Sequence, residues 1–397
     1  MPTGHRPGRD LPAVVVGGTL NGLGVVRSLA RGRMPIYLLD TTRQCAAGWS
    51  GCSSYIRIVS LEGRGLIDEL LKLASLLKCR PVLLLTSDES VNTVSECWEE
   101  LHPHYRFSLP APDMVRALAD KVLFQALAER EGFAVPRSVG IAPNDPLGRL
   151  SDLQPPLVIK PADKTLVLRG RAERAVRADS LDEARSLVTR MLQSVPAVVV
   201  QEWIDGPDTE IFFSLFACDR DGKVLGLFPG RKLVCHPPAV GSTAVCIAAP
   251  EVATELTAQT LEFVRKVGYR GLGSLEFKRD ARTGRFLIIE PTVGRTDWQE
   301  EIATLCGVNL PLLTYFSESD AAVPVPDRLY PRVAWRSSVR FSSPLPPGVT
   351  VTDGFFRWSD PIPAFYYYGY ERALLRVWRR ILRPRRRGSA SVGTAEE

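Results

Sequence analysis

Near the start of the chain an unbroken apolar run, residues 11–16, breaks directly onto Gly17-Gly18-Thr19-Leu20-Asn21-Gly22-Leu23-Gly24. A short run with no polar alternation is a strand buried on both faces, and such strands belong to parallel sheets covered by helices. A helix over residues 25–31 and a second strand over 35–40, ending in Asp40, complete a β-α-β unit with a glycine turn. Leucine and isoleucine at 66, 67, 70, 71, 73, 76 and 77 predict a helix over 66–77. Residues 81–85 predict a third strand, and Thr86-Ser87-Asp88-Glu89 supplies the cap of the next helix. The expectation is an open, Rossmann-like α/β domain over residues 1–110.

Pro110-Ala111-Pro112 ends that texture. A helix is expected over 113–131, stopped at Gly132. Strands follow over 157–160, 197–202, 210–218, 224–229, 273–278 and 286–290, with hairpin turns at 219–223 and 280–284 and helices over 181–193, 252–267 and 298–306. This α+β region spans 111–320, in two lobes, 111–195 and 196–320. From residue 321 prolines recur, and the segment to 363 is expected to be irregular. An aromatic stretch over 365–370, a helix over 370–382 and a disordered tail complete the unit 321–397.

The composition, 45% hydrophobic and 24% charged, is that of a globular protein and excludes disordered and collagen-like classes. No apolar run approaches the ~20 residues of a membrane span. Residues 1–10 lack the apolar core of a signal peptide, so a cytoplasmic location is expected. The net charge of +6 resides in the tail: residues 371–397 carry +5, leaving +1 for the first 370. Nucleic acid is therefore not an expected partner of the body. Arginines three or four apart, alternating with Leu374, Leu375, Trp378, Ile381 and Leu382, leave peripheral contact with an anionic membrane open for the tail. Eight cysteines without a C-x-x-C pair, and four histidines with no cluster beyond Cys235-His236, point to free thiols rather than zinc.

The residues suited to chemistry come in an ordered series. Lys121 opens Lys121-Val122-Leu123-Phe124, and Lys160 emerges from the buried run 157–160. A lysine is a point charge that suits a triphosphate. Residues 198–202 form an apolar strand ending in Gln201-Glu202, followed by Trp203-Ile204-Asp205-Gly206-Pro207-Asp208. The backbone of such a strand end can hold an adenine edge, and a nearby acid can accept ribose hydroxyls. Glu276 and Glu290 sit on strands joined by one turn, so both can face one spot, and hard oxygen ligands beside phosphates suit Mg²⁺. Arg231, in Gly230-Arg231-Lys232, and Arg295, after the second acidic strand, are candidates to neutralise a γ-phosphate or clamp a carboxylate. Thr296 and Gln299 have the spacing of a capping box. The glycine turn lacks the G-x-G-x-x-G spacing, although Asp40 could take a ribose.

In order and spacing this series resembles the ATP-grasp superfamily, in its carboxylate–amine ligase branch: D-alanine–D-alanine ligase, D-aspartate ligase and carbamoyl-phosphate-synthetase-like members. The likeness covers about residues 110–311, and the preceding domain resembles the family's usual N-terminal domain. The resemblance implies an ATP-grasp fold, ATP with Mg²⁺ (or Mn²⁺) as cofactors, and ligation of a small-molecule carboxylate to an amine or thiol through an acylphosphate. By position, Lys121 and Lys160 resemble the phosphate lysines, and Gln201, Glu202 and Ile204 the adenine hinge. Asp208 resembles the ribose acid, and Glu276 and Glu290 the metal carboxylates. Thr292, a weaker oxygen ligand, stands where the family has asparagine. The glycine- and serine-rich flap of the family is replaced by residues 163–171, where Arg169 and Arg171 could meet phosphates. Two other readings remain at this point: an ATP-binding protein without turnover, and a nucleotide-dependent oxidoreductase built on the N-terminal domain.

Overall fold

The first apolar run becomes the middle of a parallel sheet. The computed structural model describes residues 11–162, 175–238, 241–327, 330–337 and 345–371. In it β1 (Ala13–Val16) pairs in parallel with β2 (Ile36–Asp40) and β4 (Val82–Leu85), and β3 (Ser54–Arg57) extends the sheet in the order β3-β2-β1-β4. The first helix, Leu20–Ala30, begins five residues before the expected 25. Gly22 and Gly24 belong to the helix, not the turn. A Cβ on Gly22 would collide with the Gly17 carbonyl, and one on Gly24 would lie 3.0 Å from Glu300 Oε2. These glycines let the helix start hard against the strand end. Asp40 does not wait for a ribose. Its carboxylate accepts the Gly18 N–H at 2.7 Å and the Thr42 N–H at 3.1 Å, closing the turn. Ser87 caps the helix Asp88–Glu96 through the Ser90 N–H.

The helix expected over 113–131 is two helices. Asp120 adopts an extended backbone and accepts the N–H groups of Val122 and Leu123 at 2.8 and 2.9 Å. It therefore ends Pro112–Ala119 and caps Lys121–Glu131. Lys121 becomes the first residue of a new helix.

Two antiparallel sheets follow. The smaller is β5 (Ser138–Ile141), β6 (Leu157–Pro161), β7 (Val176–Ala178) and β8 (Val198–Glu202), in the order β5-β8-β6-β7. The larger contains β9 (Ile211–Cys218), β10 (Val224–His236), β11 (Ser242–Ala248), β12 (Gly271–Arg279), β13 (Phe286–Val293), β14 (Val333–Arg336) and β15 (Thr350–Asp353). Its order is β13-β12-β9-β10-β11-β14-β15. The expected order, a Rossmann-like parallel sheet followed by antiparallel sheets, is what the chain forms.

Three local expectations differ. β10 runs on to His236, and β11 pairs with it. The proline-rich segment expected to be irregular contributes β14 and β15, a parallel edge pair. Its prolines at 331, 346 and 347 lie just before these strands, where no ladder N–H is needed. The helix expected over 298–306 is only Glu301–Leu305, and the Thr296–Gln299 box does not form: Thr296 Oγ1 instead accepts from Asn21 Nδ2 at 3.3 Å. The helix Leu310–Glu318, with Asn309 as cap and Pro311 in its first turn, was not expected.

Alternation along β9 splits its phenylalanines. Phe212 and Phe216 join one core with Phe263 of the helix Ala253–Val267. Phe213 and Leu215 join the other with Leu23 and Leu313. Among the described residues no helix is long and apolar enough to cross a membrane. Arg169, Arg171 and the basic tail from 372 onward, with most of the helix expected over 370–382, lie outside the described residues.

Candidate functional site: a cleft between the two antiparallel sheets

The register of β12 on β13 puts Glu276 directly opposite Glu290, and Ser274 opposite Thr292. Cross-strand partners share a sheet face. Glu276 also pairs with Phe213, and Phe213 with Gly230, so Lys232, two residues on, falls on that same face. Its Nζ lies 2.5 Å from Glu276 Oε2. Burial would lower the Lys232 ammonium, but the Glu276 charge overrides it and holds the group above its usual range.

Arg231 points the other way. It sits over the Phe212 ring, donates from Nε to the Thr209 carbonyl at 2.6 Å, and pairs with Glu210 and Glu251 at 3.4 and 3.6 Å. The structure therefore gives Lys232, not Arg231, to the carboxylate face. Sequence inspection singled out Arg231 of Gly230-Arg231-Lys232, whereas the register of β10 on β9 turns Lys232 toward Glu276. Arg231→Ala is expected to change any turnover that depends on this cleft by no more than about threefold, because Arg231 pairs with Glu210 away from the facing carboxylates. Lys232→Met should lose at least about tenfold. Side-by-side ADP-release rates check the contrast.

On the smaller sheet, Lys160 and Gln201 share a face, with Lys160 Nζ donating to Gln201 Oε1 at 3.1 Å. Lys121, Lys160, Gln201 and Glu290 line one narrow cleft, and Lys121 Nζ stands 4.0 Å from Glu290 Oε1. Burial, reinforced by the Lys121 charge, pulls the Lys160 ammonium down to about 8. Two lysines are thus held together without enough carboxylate to satisfy both, a poise that suits an incoming polyanion.

The expected hinge lies where β8 ends. Glu202 Oε1 accepts the Gln154 N–H at 3.0 Å and the Glu202 backbone N–H donates to the Arg137 carbonyl at 2.9 Å, so both groups are used locally. Ile204 is buried. Trp203, between them, has the Arg177 guanidinium 4.9 Å and the Lys278 ammonium 5.0 Å from its ring centre. Asp208 Oδ2 accepts the Cys235 backbone N–H at 3.0 Å, which ties it to β10.

Beyond β13 the chain turns at Gly294, whose φ of +71° and packing against Val91 and Leu109 leave no room for a side chain. The turn returns Arg295 and Asp297 to the strand. Arg295 Nε donates to Asp88 Oδ1 at 2.7 Å, and its Nη1 lies 3.9 Å from Asp297. Burial opposes the charge on Arg295, but Asp88 overcomes it and keeps the guanidinium raised above its ordinary value. Asp297 accepts from Ser274 Oγ at 2.8 Å and Thr292 Oγ1 at 3.1 Å. Asp88, which sequence inspection put in a helix cap, and Asp297 thus belong to the polar cluster. No short-range signal marks them, because Asp88 is 207 residues from Arg295.

Among the described residues no three His, Cys, Asp or Glu side chains converge as a complete metal cage. Two facing carboxylates with a threonine hydroxyl beside them do fit Mg²⁺, which fills its shell with water and phosphate oxygens rather than with protein alone. All eight cysteines are free, as expected.

No protein-family model matches the chain. In sequence it is 25% identical over 198 residues to the carbamoyl phosphate synthase large chain of Deinococcus deserti, covering 47% of this chain and 18% of that protein. The chain therefore matches under a fifth of the length of the curated relatives. Among solved structures, the ADP complex of an N5-carboxyaminoimidazole ribonucleotide synthetase superposes with a TM-score of 0.64, at 14% identity, over 83% of this chain and 81% of that one. This is the ATP-grasp fold. Two further ATP-grasp structures resemble it. The biotin carboxylase domain of Hydrogenobacter thermophilus 2-oxoglutarate carboxylase, bound to MgADP, ADP and bicarbonate, gives a TM-score of 0.63 at 14% identity, over 82% and 73% of the two chains. An L-amino acid ligase from Bacillus licheniformis gives 0.59 at 16% identity, over 78% and 74%.

Proposed function

We propose that this chain is an ATP-dependent ligase that joins a small-molecule carboxylate to an amine through an acylphosphate. The observation that carries the reading is one cleft lined by Lys121, Lys160, Gln201 and Glu290, with Glu276 directly opposite Glu290 on the neighbouring strand. Names of similar proteins support it: a synthetase with ADP bound, a carboxylase with MgADP and bicarbonate, and an amino acid ligase.

In this reading Lys121 and Lys160 bind the phosphates, Gln201, Glu202 and Ile204 hold the adenine edge, and Asp208 accepts from the ribose. Glu276, Glu290 and Thr292 would hold a divalent cation, which would supply neutralisation of phosphate charge. The substrate carboxylate oxygen attacks the γ-phosphorus in line, and the bond from that phosphorus to the ADP oxygen breaks. Arg295, fixed by Asp88, and Lys232, fixed by Glu276, are placed to steady the negative charge. The amine nitrogen then attacks the acyl carbon, inorganic phosphate leaves, and the nitrogen loses a proton. The protein's contribution is positioning and electrostatics, so no Ser/His or Cys/His pair is required.

ADP release coupled to hydroxylamine trapping, run over a panel of amino and sugar acids with Mg²⁺, tests the proposal. Carboxylate-dependent ADP release with hydroxamate formation is the expected result. ATP binding without ADP release on any acid would favour the non-catalytic reading, and no Mg²⁺-dependent ATP binding at millimolar nucleotide would overturn the site altogether.

A further inference from the structure

A second cavity, of about 300 Å³, lies apart from the nucleotide cleft and shares no lining residue with it. It forms where the segment 106–112 leaves the N-terminal domain and meets the larger sheet. That segment lies directly on the start of β12: a Cβ on Gly271, which has a φ of +80°, would collide with the Ser108 carbonyl.

Four arginines line the cavity, Arg80, Arg106, Arg220 and Arg270, against a single carboxylate, Glu318. They come from four separate stretches of chain, so their convergence is a tertiary event. Their charges are only partly matched. Asp320 takes Arg106 at 2.5 Å and Arg220 at 2.9 Å. Among the described residues Arg80 is anchored only by neutral carbonyls, those of His102 at 2.6 Å and Tyr105 at 3.1 Å. Arg270 has no hydrogen-bond or ion-pair partner among the described residues. Arg106 Nε is buried with no acceptor among the described residues. Glu318 is engaged by Ser108 Oγ, and burial raises its carboxyl above the usual range. Trp98, Phe107, Leu109 and Pro110 make the floor apolar.

An apolar floor under guanidinium groups that are only partly matched selects a particular ligand chemistry. Guanidinium forks favour phosphate, carboxylate or sulfonate oxygens, and the floor favours a flat apolar body. The volume falls at the small end of the range for small-molecule sites. We propose that this cavity is an accessory binding site for a compact aromatic or heteroaromatic anion, separate from the nucleotide cleft.

The test uses the full chain and the probe 1-anilinonaphthalene-8-sulfonate, followed by fluorescence titration. Arg270→Glu is the principal variant, Arg270→Ala a milder one in case charge reversal disturbs folding, and Arg116→Glu, at an exposed side chain that does not line the cavity, the control. Saturable binding near one equivalent, weakened at least tenfold by Arg270→Glu, several-fold by Arg270→Ala, and less than twofold by Arg116→Glu, is expected. Equal affinity in the parent and both Arg270 variants would overturn the site. Competition separates the sources of affinity. Naphthalene-2-sulfonate should displace the probe at concentrations at least tenfold below inorganic phosphate; equal potency would overturn the role of the apolar floor.

Discussion

Glu290→Gln should lower the rate of ATP turnover by at least about 100-fold, in the range seen when one charge-stabilising group is removed from an active site. Glu290 faces Glu276 across the β12–β13 ladder and stands 4.0 Å from Lys121. The amide keeps the shape and one acceptor oxygen but removes the charge that a divalent cation requires. It also leaves Lys121 and Lys160 with one fewer carboxylate nearby, so nucleotide without metal should bind no more weakly than before. The fold has little stake in the change, since the side chain is over one-third exposed and its mate Glu276 keeps Lys232. Steady-state ADP release, metal-dependent nucleotide binding and a melting curve, measured together, check this. An unchanged turnover rate would remove Glu290 from the metal site, and a collapsed melting transition would make its role structural.

ATP binding should take up a proton above pH 8, and Lys160→Met should abolish that uptake. The Lys160 ammonium sits at about 8 because burial and Lys121 disfavour its charge. Phosphate oxygens reverse that balance and restore the charged form on binding. In calorimetry at pH 8.5 to 9, the apparent binding enthalpy of the parent should vary with the ionisation enthalpy of the buffer, and the affinity should fall as pH rises from 7 to 9. Lys160→Met should weaken binding by at least about tenfold, a loss of about 1.4 kcal/mol, and flatten both dependences. The sign for the ligand-free protein is opposite. A lysine whose folded value is lowered makes the folded state bind fewer protons, so its stability contribution rises with pH between about 8 and the unfolded value near 10.5. Buffer-independent enthalpy in the parent would exclude Lys160 from the phosphates.

Along the chain, much of this protein is written in local pattern. The apolar run before Gly17 reads as a buried parallel strand whatever surrounds it, because burial on both faces leaves no polar alternation. Lys160, Gln201, Glu276 and Glu290 stand out for a related reason: each interrupts or ends a strong apolar strand, where a charged or polar group costs too much to be casual. Their order therefore exposes both the fold and the cleft. What tertiary structure alone decided is face and partner. Arg231 and Lys232 are adjacent in sequence, and only the register of β10 on β9 and of β9 on β12 sends one to Glu210 and the other to Glu276. A shift of one residue would exchange them. Asp120 reads as one more residue of a long helix until its carboxylate is seen capping the next one. Asp40 reads as a free acid until the Gly18 N–H reaches it. β14 and β15 have too few residues and too many flanking prolines to signal strands, and form because a sheet edge is there to receive them. The four arginines of the accessory cavity span residues 80 to 270. Periodicity is a property of one segment, whereas a converging set of charges depends on contacts between segments that no local pattern encodes.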